Sequence, residues 1–174
     1  MAMAAALAGQ LRAGDVIALE GPLGSGKTCF VRGLAKGLGI DPSAVSSPTF
    51  VICQEYEGKK SKTKNPKSSI TLVHIDAYRV NGPDELETIG WSELPQAPDA
   101  IIAIEWPSRI GSALPAKRID VTFAHEGERA RSIAIAIAGD QARPELLQAV
   151  NSVAGGLDQE KSRKSKGIGY GKSK

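Results

Sequence analysis

The sequence predicts an α/β protein built on a P-loop NTPase-type mixed β-sheet with few flanking helices. Three observations carry that expectation. An apolar run, DVIALEG (15–21), opens into the glycine-rich stretch GPLGSGKT (21–28) and then into a helix-like segment. Further strand-like runs follow at ITLVHID (70–76) and AIIAIEW (100–106), the second continuous enough for a central strand. Helical segments are too few to separate every pair of strands, so the sheet departs from strict βαβ alternation.

Each element has its own local reason. MAMAAALAGQLRAGD lacks the basic leader and long apolar stretch of a secretory signal, and reads as a small-residue helix ended near Gly14. KTCFVRGLAKGLG (27–39) places Phe30, Val31, Leu34 and Leu38 at helical spacing, with Gly39 as the C-cap candidate. After the turn signals DPSAVSSP, TFVICQEY (49–56) reads as a second strand, joined through a polar lysine-rich loop to the 70–76 strand as an antiparallel pair. PDELETIGWSEL (83–94) begins with proline and acids, as helix N-termini do. RIDVTFAH and ARSIAIAIA read as a final hairpin across EGER, and QARPELLQAVNSVAGGL as a last short helix.

The chain of 174 residues fits one domain, expected over 1–156 with a basic insert at 59–69, followed by a basic, disordered tail at 157–174. No apolar run approaches the roughly 18 residues of a membrane helix. Cys29 and Cys53 have no metal-ligand spacing and read as buried free thiols of a reducing cytosol, so the expected location is cytoplasmic. The net charge of +3 hides an uneven distribution: 59–69 holds five lysines and 161–174 six basic residues, neither with an acid. The remainder carries 11 basic and 19 acidic residues, a net of −8. The basic segments are either solvated stretches or contacts for an anionic partner such as RNA; aromatics are not interleaved with them, Tyr170 apart, so base stacking is not expected.

Gly21-x4-Gly26-Lys27-Thr28 matches the phosphate-binding loop in full, in the strand–loop–helix context the chemistry needs. Glycines let backbone N–H groups turn inward around a phosphate, and the helix N-terminus adds positive potential. Lys27 would place its charge on the β/γ oxygens and Thr28 its hydroxyl on magnesium. The expected nucleotide set here is Gly21, Leu23, Gly24, Ser25, Gly26, Lys27, Thr28 and Cys29. Two acids end apolar strands, Asp76 and Glu105, the position from which a carboxylate holds magnesium directly or through water. With Lys27 they are the catalytic candidates. The guanine-reading NKxD and the LSGGQ signature are absent, and the chain is short for an AAA+ module, so ATP is favoured over GTP.

GPLGSGKT, SPTF (47–50) leading to EY (55–56), HIDAYR (74–79), DELETIG (84–90), IEWPSRI (104–110) and LP (114–115) occur in that order. This series resembles the TsaE family, small P-loop ATPases of bacterial tRNA threonylcarbamoyladenosine synthesis, over about residues 7 to 138. The resemblance implies Mg2+ held by Thr28 and Glu105, with Asp76 in the same region, reaching the ion through water or aiding hydrolysis. It makes Thr49 a switch residue sensing γ-phosphate or magnesium. Trp106 would lie beside the nucleotide, or else serve as a core aromatic, and Arg118 would approach the adenine. His74 and Tyr78 read as packing or orienting residues. Arg79 and Arg109 are candidates either for neutralising transition-state charge or for ordinary ion pairs. Pro22 and Ser25 stand where the family usually has an acid and an alanine, and the 59–69 insert is longer than its usual turn.

By this resemblance the chain is a slowly hydrolysing accessory ATPase working with TsaD and TsaB, with tRNA present in the assembly and the nucleoside chemistry left to TsaD. The alternatives are a small-molecule kinase, with Asp76 as base toward an acceptor hydroxyl, and a nucleotide-gated interaction module without useful turnover.

Overall fold

A computed structural model describes residues 1–59, 69–127, 130–139 and 143–153. The basic segments named above lie outside the described residues, apart from Lys59 and Ser69, which end one strand and begin the next.

In chain order the elements are α1 (Ala2–Ala8), β1 (Val16–Glu20), α2 (Lys27–Gly37), β2 (Cys53–Lys59), β3 (Ser69–Asp76), α3 (Pro83–Leu86), β4 (Ala100–Glu105), β5 (Arg118–His125), β6 (Arg131–Ala138) and α4 (144–153). Six strands form one sheet in the order β2-β3-β4-β1-β5-β6. The inner four are parallel, and β2 and β6 run antiparallel at the two edges. The mixed α/β sheet read from the sequence is what the chain forms.

Alternation along the strands divides the core into two layers. Ile17, Leu19, Leu72, Ile101, Ile119 and Val121 face α1, α2 and α4, meeting Phe30, Val31, Leu34, Leu146 and Val150. On that side Phe30 meets Phe123 edge to face, ring centroids 5.6 Å apart. Val16, Ala18, Val73, Ile75, Ile102 and Ile104 face the opposite way, onto Leu86, Trp91 and Ile110. β4 is buried on both faces, which is why it reads as an unbroken apolar run.

Helix α1 crosses α2 at unusually close range. A Cβ at Gly33 would sit 2.6 Å from Ala4 Cβ, and one at Gly37 would sit 2.5 Å from Ala5 O. The two glycines, poor helix formers, therefore have a packing reason to be there.

Three expected boundaries differ. Helix α1 ends at Ala8, with Gly9 as its cap, not near Gly14; Gly14, at φ 85°, turns the chain into β1 and donates to Ala100 O at 2.7 Å. Strand β2 starts at Cys53, not Thr49, because Ile52 N donates back to Pro48 O at 2.7 Å and Ile52 itself has φ 64°. The helix expected over 83–94 is a single turn, α3, continued by 3₁₀ segments at Glu87–Ile89 and Leu94–Gln96 and broken at Gly90, φ 71°.

Candidate functional site

The parallel strands place their carboxyl ends along one rim of the sheet. Asp76 and Glu105 are register partners at the ends of β3 and β4, and Leu19 of β1 is opposite Glu105 on the other side. The glycine loop leaves β1 at this rim and returns as α2. Gly21 (φ 153°) is pressed against β5: a Cβ there would lie 2.8 Å from both Phe123 Cβ and Phe123 O, so only glycine fits. Gly26, at φ 103°, turns the chain into the first residues of α2, whose N–H groups face the loop.

A cavity of about 420 Å³ opens over this loop, lined by 23–29 and by Ser47, Thr49, Asp76, Tyr78, Glu105 and Trp106. The structure thus gathers every expected site residue except two. Gly21 lies beneath the loop rather than on the cavity. Arg118 is not brought to the site: it begins β5, and β5 is parallel to β1, so Arg118 sits at the opposite end of the sheet from Glu20, which pairs with Thr122. Arg118 instead binds Asp120 Oδ1 at 2.7 Å and Pro115 O at 3.1 Å.

Lys27 is almost fully buried. Its Nζ donates to Gly21 O at 2.7 Å and Pro22 O at 3.0 Å and lies 3.8 Å from the centroid of the Trp106 ring. Burial pushes its amine below the ordinary lysine value, against the opposing pull of Glu105, Glu20 and Asp76. Trp106 adopts φ 60°, ψ 49°, a costly conformation for a bulky residue, and its ring also packs on Tyr78 at 5.1 Å. The backbone at this bend is fixed by Trp106 N donating to Leu19 O at 3.2 Å.

Thr28 Oγ1 donates to Glu105 Oε1 at 2.8 Å. With its hydrogen committed there, the threonine oxygen keeps its lone pairs for a cation. Asp76 is bound differently: Oδ2 accepts from Ser47 Oγ at 2.9 Å and Thr49 Oγ1 at 2.6 Å, and Oδ1 accepts from Tyr78 N at 3.0 Å. The 46–52 segment is therefore fastened to the end of β3 through two hydroxyls. Thr28, Ser47, Thr49, Asp76 and Glu105 offer hydroxyl and carboxylate oxygens to the cavity, and these suit Mg2+ better than softer metals; the one sulfur among the described lining residues, Cys29, has no second soft ligand beside it there. Among the described residues no three His, Cys, Asp or Glu side chains form a metal cluster, so an ion here would draw further oxygens from phosphate and water, as magnesium does.

Two arginines flank the rim. Arg79 lies over the Phe50 ring at 4.5 Å and Arg109 over Tyr78 at 5.8 Å. Cys29 is not buried as the sequence suggested but exposed, lining the cavity, whereas Cys53 is half-buried, its thiol pushed up to about 11 by burial and secondarily by Glu55. Sequence reasoning did not single out Ser47, although it lies in the same SPTF stretch as Thr49. The Glu105 contact of His74 had a signal too: HxD spacing puts His74 on the same strand face as Asp76.

A glycine loop between β1 and α2, with a hydroxyl–carboxylate pair across the carboxyl ends of a mostly parallel sheet, defines a P-loop-like α/β protein. The chain belongs to the TsaE family: the family model described as "Threonylcarbamoyl adenosine biosynthesis protein TsaE" matches residues 1–133. Relatives called tRNA threonylcarbamoyladenosine biosynthesis protein TsaE include one from Aquifex aeolicus, 44% identical over 108 residues, 62% of this chain and 68% of that one. The Bacillus subtilis relative is 36% identical over 128 residues, 74% of this chain and 73% of its own. That of Treponema pallidum is 35% identical over 126 residues, 72% and 84% respectively. Among solved structures, Bacillus subtilis YdiB superposes with a TM-score of 0.64 at 27% identity, covering 88% of this chain and 87% of that one.

Proposed function

We propose that this chain is a magnesium-dependent ATPase of low intrinsic activity that serves tRNA threonylcarbamoyladenosine biosynthesis in the cytoplasm, acting with TsaD and TsaB. The observation that carries the reading is the Thr28–Glu105 hydrogen bond, 2.8 Å, across the mouth of the glycine loop. It joins the two groups a P-loop enzyme uses to hold Mg2+ beside the β- and γ-phosphates. The metal, when bound, neutralises charge developing on the phosphate oxygens.

The chain's own residues supply the rest. The loop and the start of α2 direct N–H groups and helix potential at the β-phosphate. Lys27, released from Gly21 O and Pro22 O, carries its charge to the β/γ oxygens. Thr49 and Ser47 hold the 46–52 segment on Asp76 and can exchange that partner for a ligand oxygen. Asp76 has both carboxylate oxygens occupied by Ser47, Thr49 and the Tyr78 N–H, which weighs against a base reaching an acceptor hydroxyl and so against the kinase alternative. Arg79 and Arg109 stack on rings at the rim rather than over the cavity, so fast hydrolysis calls for a partner's cation. No helix among the described residues is long and apolar enough to cross a membrane.

The test measures phosphate release from ATP by the chain alone and with the TsaB–TsaD pair, together with tRNA modification reconstituted with and without it. Slow release alone, acceleration by the pair and a requirement in reconstitution are expected. Full activity alone, or modification indifferent to the chain, refutes the proposal.

A further inference from the structure

His74 is fully buried on β3, two residues before Asp76 and on the same face, with Nε2 2.9 Å from Glu105 Oε1. That oxygen is the one that also accepts from Thr28 Oγ1. A carboxylate only accepts hydrogen bonds, so Nε2 carries a hydrogen and donates. No described residue donates to Glu105 Oε2, and Glu105 lines the cavity. The other imidazole nitrogen, Nδ1, is buried with no partner. A buried polar atom without a partner costs stability, and an apolar side chain of similar volume would fill the position without that cost. Packing alone therefore does not account for a histidine here.

We propose that His74 is a positioning residue for the metal site: its Nε2–H pins Oε1 of Glu105, fixing the carboxylate so that Oε2 faces the cation side and the Thr28 hydroxyl keeps its orientation. The inference deepens the reading of a magnesium site at Thr28 and Glu105 and rests on it. A hydrogen-bonded outer partner of this kind typically sets metal affinity by about ten- to a hundredfold. The expected signature is confined to the metal. Nucleotide binding without magnesium, which relies on the glycine loop and Lys27, does not involve His74.

The test titrates ADP calorimetrically into full-length wild type, His74→Leu and His74→Gln, in EDTA and across a magnesium series. Gln offers an N–H near the position of Nε2; Leu offers none. Wild type is expected to show magnesium-dependent affinity; its absence would refute the magnesium site itself, not the role of His74 within one. His74→Leu should need about ten- to a hundredfold more magnesium, with EDTA binding unchanged, and His74→Gln should recover most of the difference. A folded His74→Leu with wild-type magnesium dependence, or a Gln variant as impaired as Leu, overturns the proposal. Nitrogen-15 NMR of the wild-type imidazole gives a readout independent of any variant's folding: Nε2 protonated is expected, and a ring protonated only on Nδ1 overturns it.

Discussion

Replacing Lys27 by methionine should move two measurements independently, because the amine is a cost to the empty fold and an asset to the liganded one. In the nucleotide-free protein the substitution removes two charge-assisted hydrogen bonds, to Gly21 O at 2.7 Å and Pro22 O at 3.0 Å, and the contact 3.8 Å over Trp106. Such bonds contribute about 1.5–3 kcal/mol each, and a cation–π contact about 0.5–2 kcal/mol. Against them stands desolvation of a buried ammonium, several kcal/mol. Burial outweighs the surrounding carboxylates in setting the Lys27 amine, so the protonated form is disfavoured in the fold relative to the unfolded chain. The methionine variant is therefore expected to melt at or slightly above wild type, within about 1 kcal/mol, or about 2–4 °C.

The pH dependence gives the sign. Lys27 titrates below its unfolded value of 10.5, so between the two values the unfolded chain binds more protons and stability rises with pH. The penalty is complete below the folded value and lifted as pH climbs toward 10.5. Wild type should show that rise, and the difference between the two proteins should shrink across the window. ATP affinity, in contrast, loses the cation on the β/γ oxygens, at least about 3 kcal/mol or more than a hundredfold. Calorimetric melting and ATP titration on the same preparations decide it. A methionine variant that melts far below wild type, or binds ATP normally, refutes the reasoning.

Thr49→Ala should retain most ATP binding but lose acceleration by the TsaB–TsaD pair, since it removes one of the two hydroxyls fastening 46–52 to Asp76; phosphate-release kinetics with and without the pair check it. Gly37→Ala, which would raise intrinsic helix propensity by about 1 kcal/mol, should instead lower the melting temperature, because its Cβ would fall 2.5 Å from Ala5 O. Alkylation at pH 8 followed by mass spectrometry should modify exposed Cys29 quickly and Cys53, with its thiol near 11, slowly; ADP should protect Cys29, which lines the cavity.

What the sequence disclosed about the site came from apolar runs that stop at a charge. ITLVHID and AIIAIE each end on an acid, and parallel pairing brings those ends into register. The edge strands were legible for a similar reason, since each follows or precedes its neighbour through a polar stretch too short for a crossover. The pairing of β1 with β4 and β5 was not legible, because it joins segments far apart in the chain. That gap explains the misplacement of Arg118: without the direction of β5, nothing says which end of the strand faces the loop. Thr49–Ile52 misled for another reason. Its β-branched and aromatic residues favour a strand, yet the hydroxyl bonds to Asp76 and the left-handed Ile52 impose a turn. The Gly33 and Gly37 pair looks unfavourable within α2 until α1 is seen lying against it.

The antiparallel ribbon of β2 and β3 has one further consequence, electrostatic in kind. Its inner end, Cys53 beside Ile75, adjoins the cavity over the glycine loop, and its outer end pairs Lys59 with Ser69. Six residue steps of extended chain separate those ends, roughly 20 Å. The lysine-rich stretch of the sequence, 59–69, is joined at that outer end. At physiological ionic strength the Debye length is about 8 Å, so fixed charge at that outer end is screened from the triphosphate. Neutralising the lysines joined there should therefore weaken any polyanion contact they make while leaving nucleotide affinity nearly untouched.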